Sequence, residues 1–426
     1  MTTEEKNRII GLIQREVVPA IGCTEPMAVA LAVAKSKEVL GGIPKQIEVA
    51  LSANMLKNAM GVGIPGTNMI GLPIAIALGA LIGKSEYKLE VLKDICPDDV
   101  AAGREFIAQQ RIQILQKKDT KEKLYIEVVS HNGDDKVKVV ISGEHTHFSY
   151  IAKNGNILVD DSADNTENAD CEDPKLTMRM VYDFAMNTPI DDIRFILKSA
   201  ELNKNAAEMS LREDYGHGLG RMIFLQPHEQ LFGNGIYSKI LGYTSAACDA
   251  RMAGVKVPVM SNSGSGNQGI AATLPVWVYA KERLKSEEEL IRALTLSNLA
   301  VIYIKQSFGR LSPLCGCVVA ATGSACGITY LMGGNYDQIV FAVKNMIANI
   351  TGMICDGAKP SCSLKVATGV STAVLSSLLA IENETVTSAE GIIDEDIEKC
   401  VLNMANIGLQ GMAATDNFVL EIMTHK

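Results

Sequence analysis

The sequence predicts an α+β protein, a mainly α-helical core carrying a small peripheral antiparallel α/β module, and three observations carry that reading. Residues 86–173 are about one third charged, whereas Val301 to Ala380 holds only Lys305, Arg310, Asp337, Lys344, Asp356, Lys359 and Lys365. Apolar residues outside the charged stretch recur at helical spacing, while those inside it alternate in short runs bounded by turn signals. Hydrophobic residues make up 47% of the chain, aromatics only 5%, and glycines number 36, so the interior must be packed from small aliphatic side chains.

The first helix starts at a capping box of Thr2 and Glu5 and carries Ile9, Ile10, Ile13 and Val17 on one face until Pro19 interrupts it. The loop Gly22-Cys23-Thr24-Glu25-Pro26 leads into a small-residue helix over Met27–Val39, and an apolar stretch from Gly61 to Gly83 reads as buried. In the charged module a helix around Val100–Gln109 precedes strands over Lys123–Val129, Lys136–Ile141 and His147–Ala152, with turns at Asn132-Gly133 and Asn154-Gly155. The acidic tract 161–173 reads as a solvated linker. From Lys175 onward the pattern is helical, as at Ser286–Gln306, where Ser286 and Glu289 form another capping box. The expected division is therefore 1–85, the N-terminal helical part of the core; 86–173, the α/β module and linker; and 174–426, an all-helical domain.

At 426 residues the chain can bury a core without disulfides, and intrinsic disorder is excluded. A net charge of −9 argues against nucleic acid or an anionic membrane as the main ligand. The N-terminus shows neither a basic nor an apolar leader segment, so a reducing cytoplasm is the expectation. The uncharged stretch Leu311–Tyr336 is long enough to span a bilayer, but its Gly, Ser, Thr and Cys content fits a buried core segment better.

Two nucleotide motifs fail on context. Gly83-Lys84-Ser85 ends like a phosphate loop but has Leu78 where the earlier glycine belongs. Gly264-Ser265-Gly266-Asn267-Gln268-Gly269 follows the strand-like Val255–Met260, yet the charged Ala280–Leu290 replaces the second buried strand of a dinucleotide fold. The loop's Ser261, Asn262, Ser263, Ser265, Asn267 and Gln268 can instead aim polar groups at a small anion such as a substrate carboxylate, or simply cap a helix.

Cysteine placement is the strongest signal. Cys96, Cys171, Cys248 and Cys400 sit alone and read as structural, whereas Cys315-Gly316-Cys317, Cys326 and Cys355 to Cys362 fall among glycines. Paired C-x-x-C knuckles for zinc are absent. Spacing alone leaves an iron–sulfur cluster and buried, inert thiols equally open.

Four motifs, GCTEP at Gly22–Pro26, SNSGSGNQG at Ser261–Gly269, LSPLCGC at Leu311–Cys317 and MICDGAKPSC at Met353–Cys362, together resemble the L-cysteine desulfidase family, related to the α-chain of the iron–sulfur L-serine dehydratases. The resemblance covers nearly the whole chain. It implies a [4Fe–4S] lyase, independent of pyridoxal phosphate, that eliminates the β-substituent of a small amino acid. It further implies Cys315, Cys355 and Cys362 as cluster ligands, with Cys317 and Cys326 as substitutes. Cys23 is implied as either a further ligand or a catalytic group. The second cysteine of CDGAKPSC comes sooner than in the serine dehydratase loop, which favours cysteine over serine as substrate.

As a base, Cys23 is expected to be a thiolate, its pKa lowered by a helix N-terminus. Lys359, Lys365 and His217 are the alternatives if Cys23 binds iron, and Glu25 and Asn54 could orient the substrate amine. A homo-oligomer is compatible with the sequence. Two other classes stay open: a non-catalytic amino acid or redox sensor, and a membrane carrier.

Overall fold

The computed structural model describes residues 2–120, 122–161, 173–225, 228–308 and 313–425. Nearly all of the expected acidic linker, with Cys171, lies outside the described residues. The protein is mainly helical with one six-stranded sheet, as the sequence predicts.

Helix α1 (Thr3–Glu16) starts at the expected Thr2/Glu5 capping box and buries Ile9, Leu12 and Ile13. A short strand β1 (Pro19–Ile21) leads to α2 (Thr24–Leu40), then β2 (Gln46–Leu51), α3 (Ala53–Ala59), α4 (Leu72–Leu81) and α5 (Pro97–Ala108). The strands β3 (Ile112–Gln116), β4 (Tyr125–Asn132), β5 (Asp135–Ser142), β6 (Phe148–Lys153) and β7 (Asn156–Asp160) complete the sheet in the order β3-β2-β4-β5-β6-β7. Hairpin β4–β5 turns at Gly133 and β6–β7 at Asn154-Gly155, all with positive φ, as the turn signals require.

Two features differ from expectation. The sheet is mixed, because β2 and β3 run parallel. It also takes β2 from residues 1–85, so that segment is not wholly helical and the boundary at 86 cuts through the module. The cause is a core face shared across that boundary: Ile47, Val49 and Leu51 alternate inward beside Ile126, Val128, Val137, Val139 and Ile141, and α2 covers them. The opposite face is polar, with Glu127 between Lys117 at 3.2 Å and Lys138 at 3.0 Å.

The larger core is built from α6 (Met178–Asn187), α7 (Leu197–Arg212), α8 (Ile236–Met252), β8 (Pro258–Met260), α9 (Gly266–Glu282), α10 (Glu287–Phe308), α11 (Gly316–Leu331), α12 (Tyr336–Ile350), α13 (Cys362–Ile381), α14 (Ile397–Asn406) and α15 (Ala413–Thr424). The Ser286/Glu289 cap of α10 forms as expected. Helix α11 is the axis: α9, α10, α12 and α13 all pack on it, and Val318 through Thr329 are buried. Its Gly323 and Gly327 let neighbouring backbone approach closely, since a Cβ at Gly323 would fall 2.5 Å from Ser297 O. Each fully buried Val, Leu or Ile in such a bundle contributes ~1.5–3 kcal/mol. The middle of the uncharged stretch, Cys317 through Thr329, is thus interior. Among the described residues only Cys362–Ile381 is long and apolar enough to cross a membrane, and half of its most apolar window is buried in the fold.

Candidate active site

Two backbone pairings bring distant segments together. Antiparallel β1–β8 sets Pro19 opposite Met260 and Ile21 opposite Pro258, so the loop entering α2 lies beside the loop entering α9. Elsewhere Cys315 N donates to Met353 O at 2.8 Å and Cys355 N to Pro313 O at 2.7 Å, around a bridge between Leu314 and Ile354. The N-termini of α2, α9, α11 and α13 consequently border one cavity of about 130 Å³. None of their cap residues, Cys23, Ser265, Cys315 and Ser361, accepts a capping hydrogen bond through its side chain. Four helix ends with partial positive charge face a small space, which favours an anion there.

Cys23, Cys315, Cys317, Cys355 and Cys362 all line this cavity. The thiol and backbone N–H of Cys317 donate toward Cys315 and, against burial and with help from Lys365, hold its pKa down to about 7. Burial and the adjacent Cys315 charge push Cys355 up, and burial pushes Cys362 up with Cys315 adding to it. These thiols cannot all ionise together unless positive charge sits between them. Among the described residues no three His, Cys, Asp or Glu side chains are close enough to hold a single metal ion. A single ion demands donors within ~2.3 Å of one point. A multinuclear cluster spreads its thiolates around a volume instead, and a ring of thiols around a cavity fits that group. Cys326 does not line the cavity; it lies inside α11, donating to Thr322 O at 3.3 Å.

The Cys355–Cys362 loop is fixed by its own charges. Lys359 Nζ reaches Asp356 O at 2.8 Å, Lys365 Nζ reaches Ile354 O at 2.8 Å, and both pair with the Asp356 carboxylate. Together they outweigh burial and hold the Asp356 pKa down to about 2. Both lysines thereby staple the loop, and His217 lies exposed outside the cavity. Gly357 has φ +89°, and a Cβ there would fall 2.2 Å from Lys57 O, so this loop is pressed onto α3.

Cys23 departs from expectation. It caps α2 as the sequence implies, but its thiol donates to Glu25 Oε2 at 2.8 Å. Burial and the Glu25 charge push its pKa well up, so the protonated thiol, not the thiolate, is the favoured form. Burial alone would raise the Glu25 pKa as well. The charge of His145, the Cys23 donor and Arg251 reverse this and leave it below the usual 4.5. Asn58 Nδ2 donates to Glu25 Oε1 at 3.1 Å and Thr24 Oγ1 to Oε2 at 3.2 Å. The group favoured in its ionised form in this environment is Glu25.

Of the polar loop, Ser263, Ser265, Asn267 and Gln268 border the cavity. Ser261 does not: its hydroxyl donates to Val18 O at 2.6 Å across the β1–β8 junction, and it faces an adjoining cavity of about 350 Å³. Asn54 also misses the site, because the α3 asparagine that borders it is Asn58, one turn later. Gly269 closes the loop by packing the first turn of α9 on β8, where a Cβ would meet Met260 O at 1.9 Å. The third glycine of the motif therefore serves helix packing, without a nucleotide fold.

Arg251, Asn58, Lys305 and His145 are the residues around the cavity that sequence reasoning missed, Arg251, Asn58 and Lys305 bordering it and His145, in the sheet module's Gly143–Thr146 loop, acting on Glu25 through its charge. Only periodicity offered a hint, since Arg251 and Lys305 occupy buried helical positions. Cys248, expected to be incidental, lies fully buried close enough to feel the charges of Cys362 and Cys315.

Comparison with known proteins reveals relatives along the whole chain. A family described as "Serine dehydratase alpha chain" matches residues 86–421. A UPF0597 protein of Bacteroides fragilis is 64% identical over 426 residues, covering both chains entirely. Those of Porphyromonas gingivalis and Oleidesulfovibrio alaskensis are 53% and 43% identical, again across 100% of both chains. The serine dehydratase match includes Arg251 and the three expected ligand cysteines but begins after Cys23, Glu25 and Asn58.

Proposed function

Since the chain belongs to the UPF0597 family and, over residues 86–421, to the serine dehydratase α-chain family, we propose that it is a lyase that eliminates the β-substituent of a small L-amino acid, L-cysteine first. One observation carries the reading: five thiols and an ionised carboxylate share a cavity on which four helix N-termini converge.

Cys315, Cys355 and Cys362 would hold a [4Fe–4S] cluster. When bound, the cluster supplies an open, Lewis-acidic iron for the leaving thiol. The chain's residues do the rest. Glu25, steadied by Asn58 on Oε1 and by Cys23 and Thr24 on Oε2, accepts the α-proton of the substrate. Cys23 keeps its proton on the Glu25 side, so this carboxylate stays oriented and ionised. The loop from Ser263 to Gln268 presents N–H groups and amides to the amino acid's polar end. The C–S bond breaks as the C–H electrons form the C=C bond. Sulfide departs, and the resulting 2-aminoacrylate tautomerises and takes up water to give pyruvate and ammonia. No electron is gained or lost overall.

L-Serine is the second substrate to consider, favoured by the serine dehydratase match. The test is anaerobic purification followed by assay of pyruvate, with sulfide from L-cysteine. A higher kcat/KM for L-cysteine supports the desulfidase, a higher value for L-serine reverses the order, and no pyruvate from either overturns the lyase reading.

A further inference from the structure

Arg251 lies in the last turn of α8 and is 4% exposed. Its one hydrogen bond among the described residues runs from Nη1 to the neutral Asn267 Oδ1 at 3.0 Å, and its Nε has no partner. No carboxylate among the described residues forms an ion pair with it. A guanidinium cannot shed its proton in a protein, so burying it without an anion is expensive. Gly266, the first residue of α9, is what admits it: a Cβ there would stand 2.2 Å from Arg251 Nε. Beside it, Gln268 Oε1 is also buried without a hydrogen-bond partner, and both side chains line the small cavity.

Arg251 and Asn267, its partner, line the same cavity as Glu25 and Asn58, so the guanidinium and the carboxylate expected to meet the substrate's α-carbon border one small space.

Resting on the lyase reading above, we infer that Arg251, backed by the N-terminus of α9, is the α-carboxylate anchor of the site, and that Gln268 Oε1 accepts from the α-ammonium. The substrate class follows as a small free L-α-amino acid with an unblocked carboxylate. A guanidinium with an open Nε and a helix N-terminus both select that group.

The test compares acid with amide. Binding of unreactive L-alanine and L-alaninamide is measured by calorimetry on the chain as purified, and kcat/KM for L-cysteine and L-cysteinamide on the loaded enzyme. Wild type should prefer each acid by about 10- to 100-fold, and Arg251→Gln should lose that preference by weakening the acid alone. Arg251→Lys, which keeps the charge but not the fork, should retain part of it. Equal affinity of wild type for L-alanine and L-alaninamide would overturn the assignment without any variant, and so would an unchanged preference in Arg251→Gln. An Arg251-dependent preference for L-alanine in a protein that turns over neither cysteine nor serine would leave the anchor standing and remove the lyase reading.

Discussion

The thiol of Cys23 donates to Glu25 Oε2 across 2.8 Å, two residues along the first turn of α2, with both side chains buried against the thiol-lined cavity. Their pKa values move apart, the carboxylate down and the thiol up, whereas a helix N-terminus by itself would lower the thiol. The neighbouring charges and the helix end stabilise the carboxylate, while burial and that carboxylate keep the thiol protonated.

Removing the base should therefore cost more than altering its partner. Glu25→Gln is expected to lower kcat by about 10²- to 10⁴-fold while the iron content is unchanged. Cys23→Ser, which retains a donor to Oε2, should lose about tenfold or less. Steady-state rates with iron analysis check this, and a larger loss from Cys23→Ser than from Glu25→Gln would return the catalytic role to the thiol.

The pH profile follows from the same pair. The folded pKa of Glu25 lies below the ordinary 4.5, so the carboxylate is ionised above that value and its contribution to stability is present there. That contribution is lost as pH falls through the lowered pKa. The kcat/KM profile should accordingly show no acid limb from Glu25 between about pH 5 and 6.5. A limb that sits in this window and disappears in Glu25→Gln would contradict the assignment.

Gly357 is expected to be intolerant of any side chain. An alanine there would combine a positive φ with a Cβ 2.2 Å from Lys57 O, and the left-handed backbone alone costs ~1–2 kcal/mol. Gly357→Ala should lower the urea midpoint and reduce the iron retained on anaerobic reconstitution. Unchanged values of both would show that the loop's seat on α3 is dispensable.

Lys57 is 2% exposed and pairs with Asp416 of α15, joining the chain's last long helix to the surface on which Gly357 rests. Lys57→Met leaves a partly buried carboxylate unpaired and should destabilise by ~3–5 kcal/mol. Lys57→Met with Asp416→Asn should recover much of that loss. Chemical denaturation of the four proteins in the cycle measures it, and strict additivity would show that the pair contributes no coupling.

Much of the fold was legible because its signals are local. Capping boxes at Thr2/Glu5 and Ser286/Glu289, and turns at Asn132-Gly133 and Asn154-Gly155, each specify structure within a few residues. β2 was legible in principle, since Ile47, Val49 and Leu51 alternate, but six residues between helices carry no sign of which sheet they join. Its partners β3 and β4 come more than sixty residues later.

The site was legible where the residue type itself is chemically pointed, as with Cys315, Cys355 and Cys362. It was not where meaning depends on burial. Neither Arg251 nor Asn58 carries a chemical mark of the site in its residue type, and the β1–β8 pairing and the seat of the Gly357 loop on α3 turn them toward one cavity. The misplaced Asn54 shows the same limit, because one helical turn decides which asparagine of α3 reaches Glu25.

Whether a thiol-held cluster serves elimination is read from one sample. The visible spectrum of protein purified without oxygen is recorded, L-cysteine is added, and sulfide and pyruvate are followed in the same sample. The expected result is broad charge-transfer absorption that Cys355→Ser and Cys362→Ser lose, with sulfide and pyruvate released in equal amounts. A colourless protein that takes up no iron on reconstitution and releases neither product would contradict it.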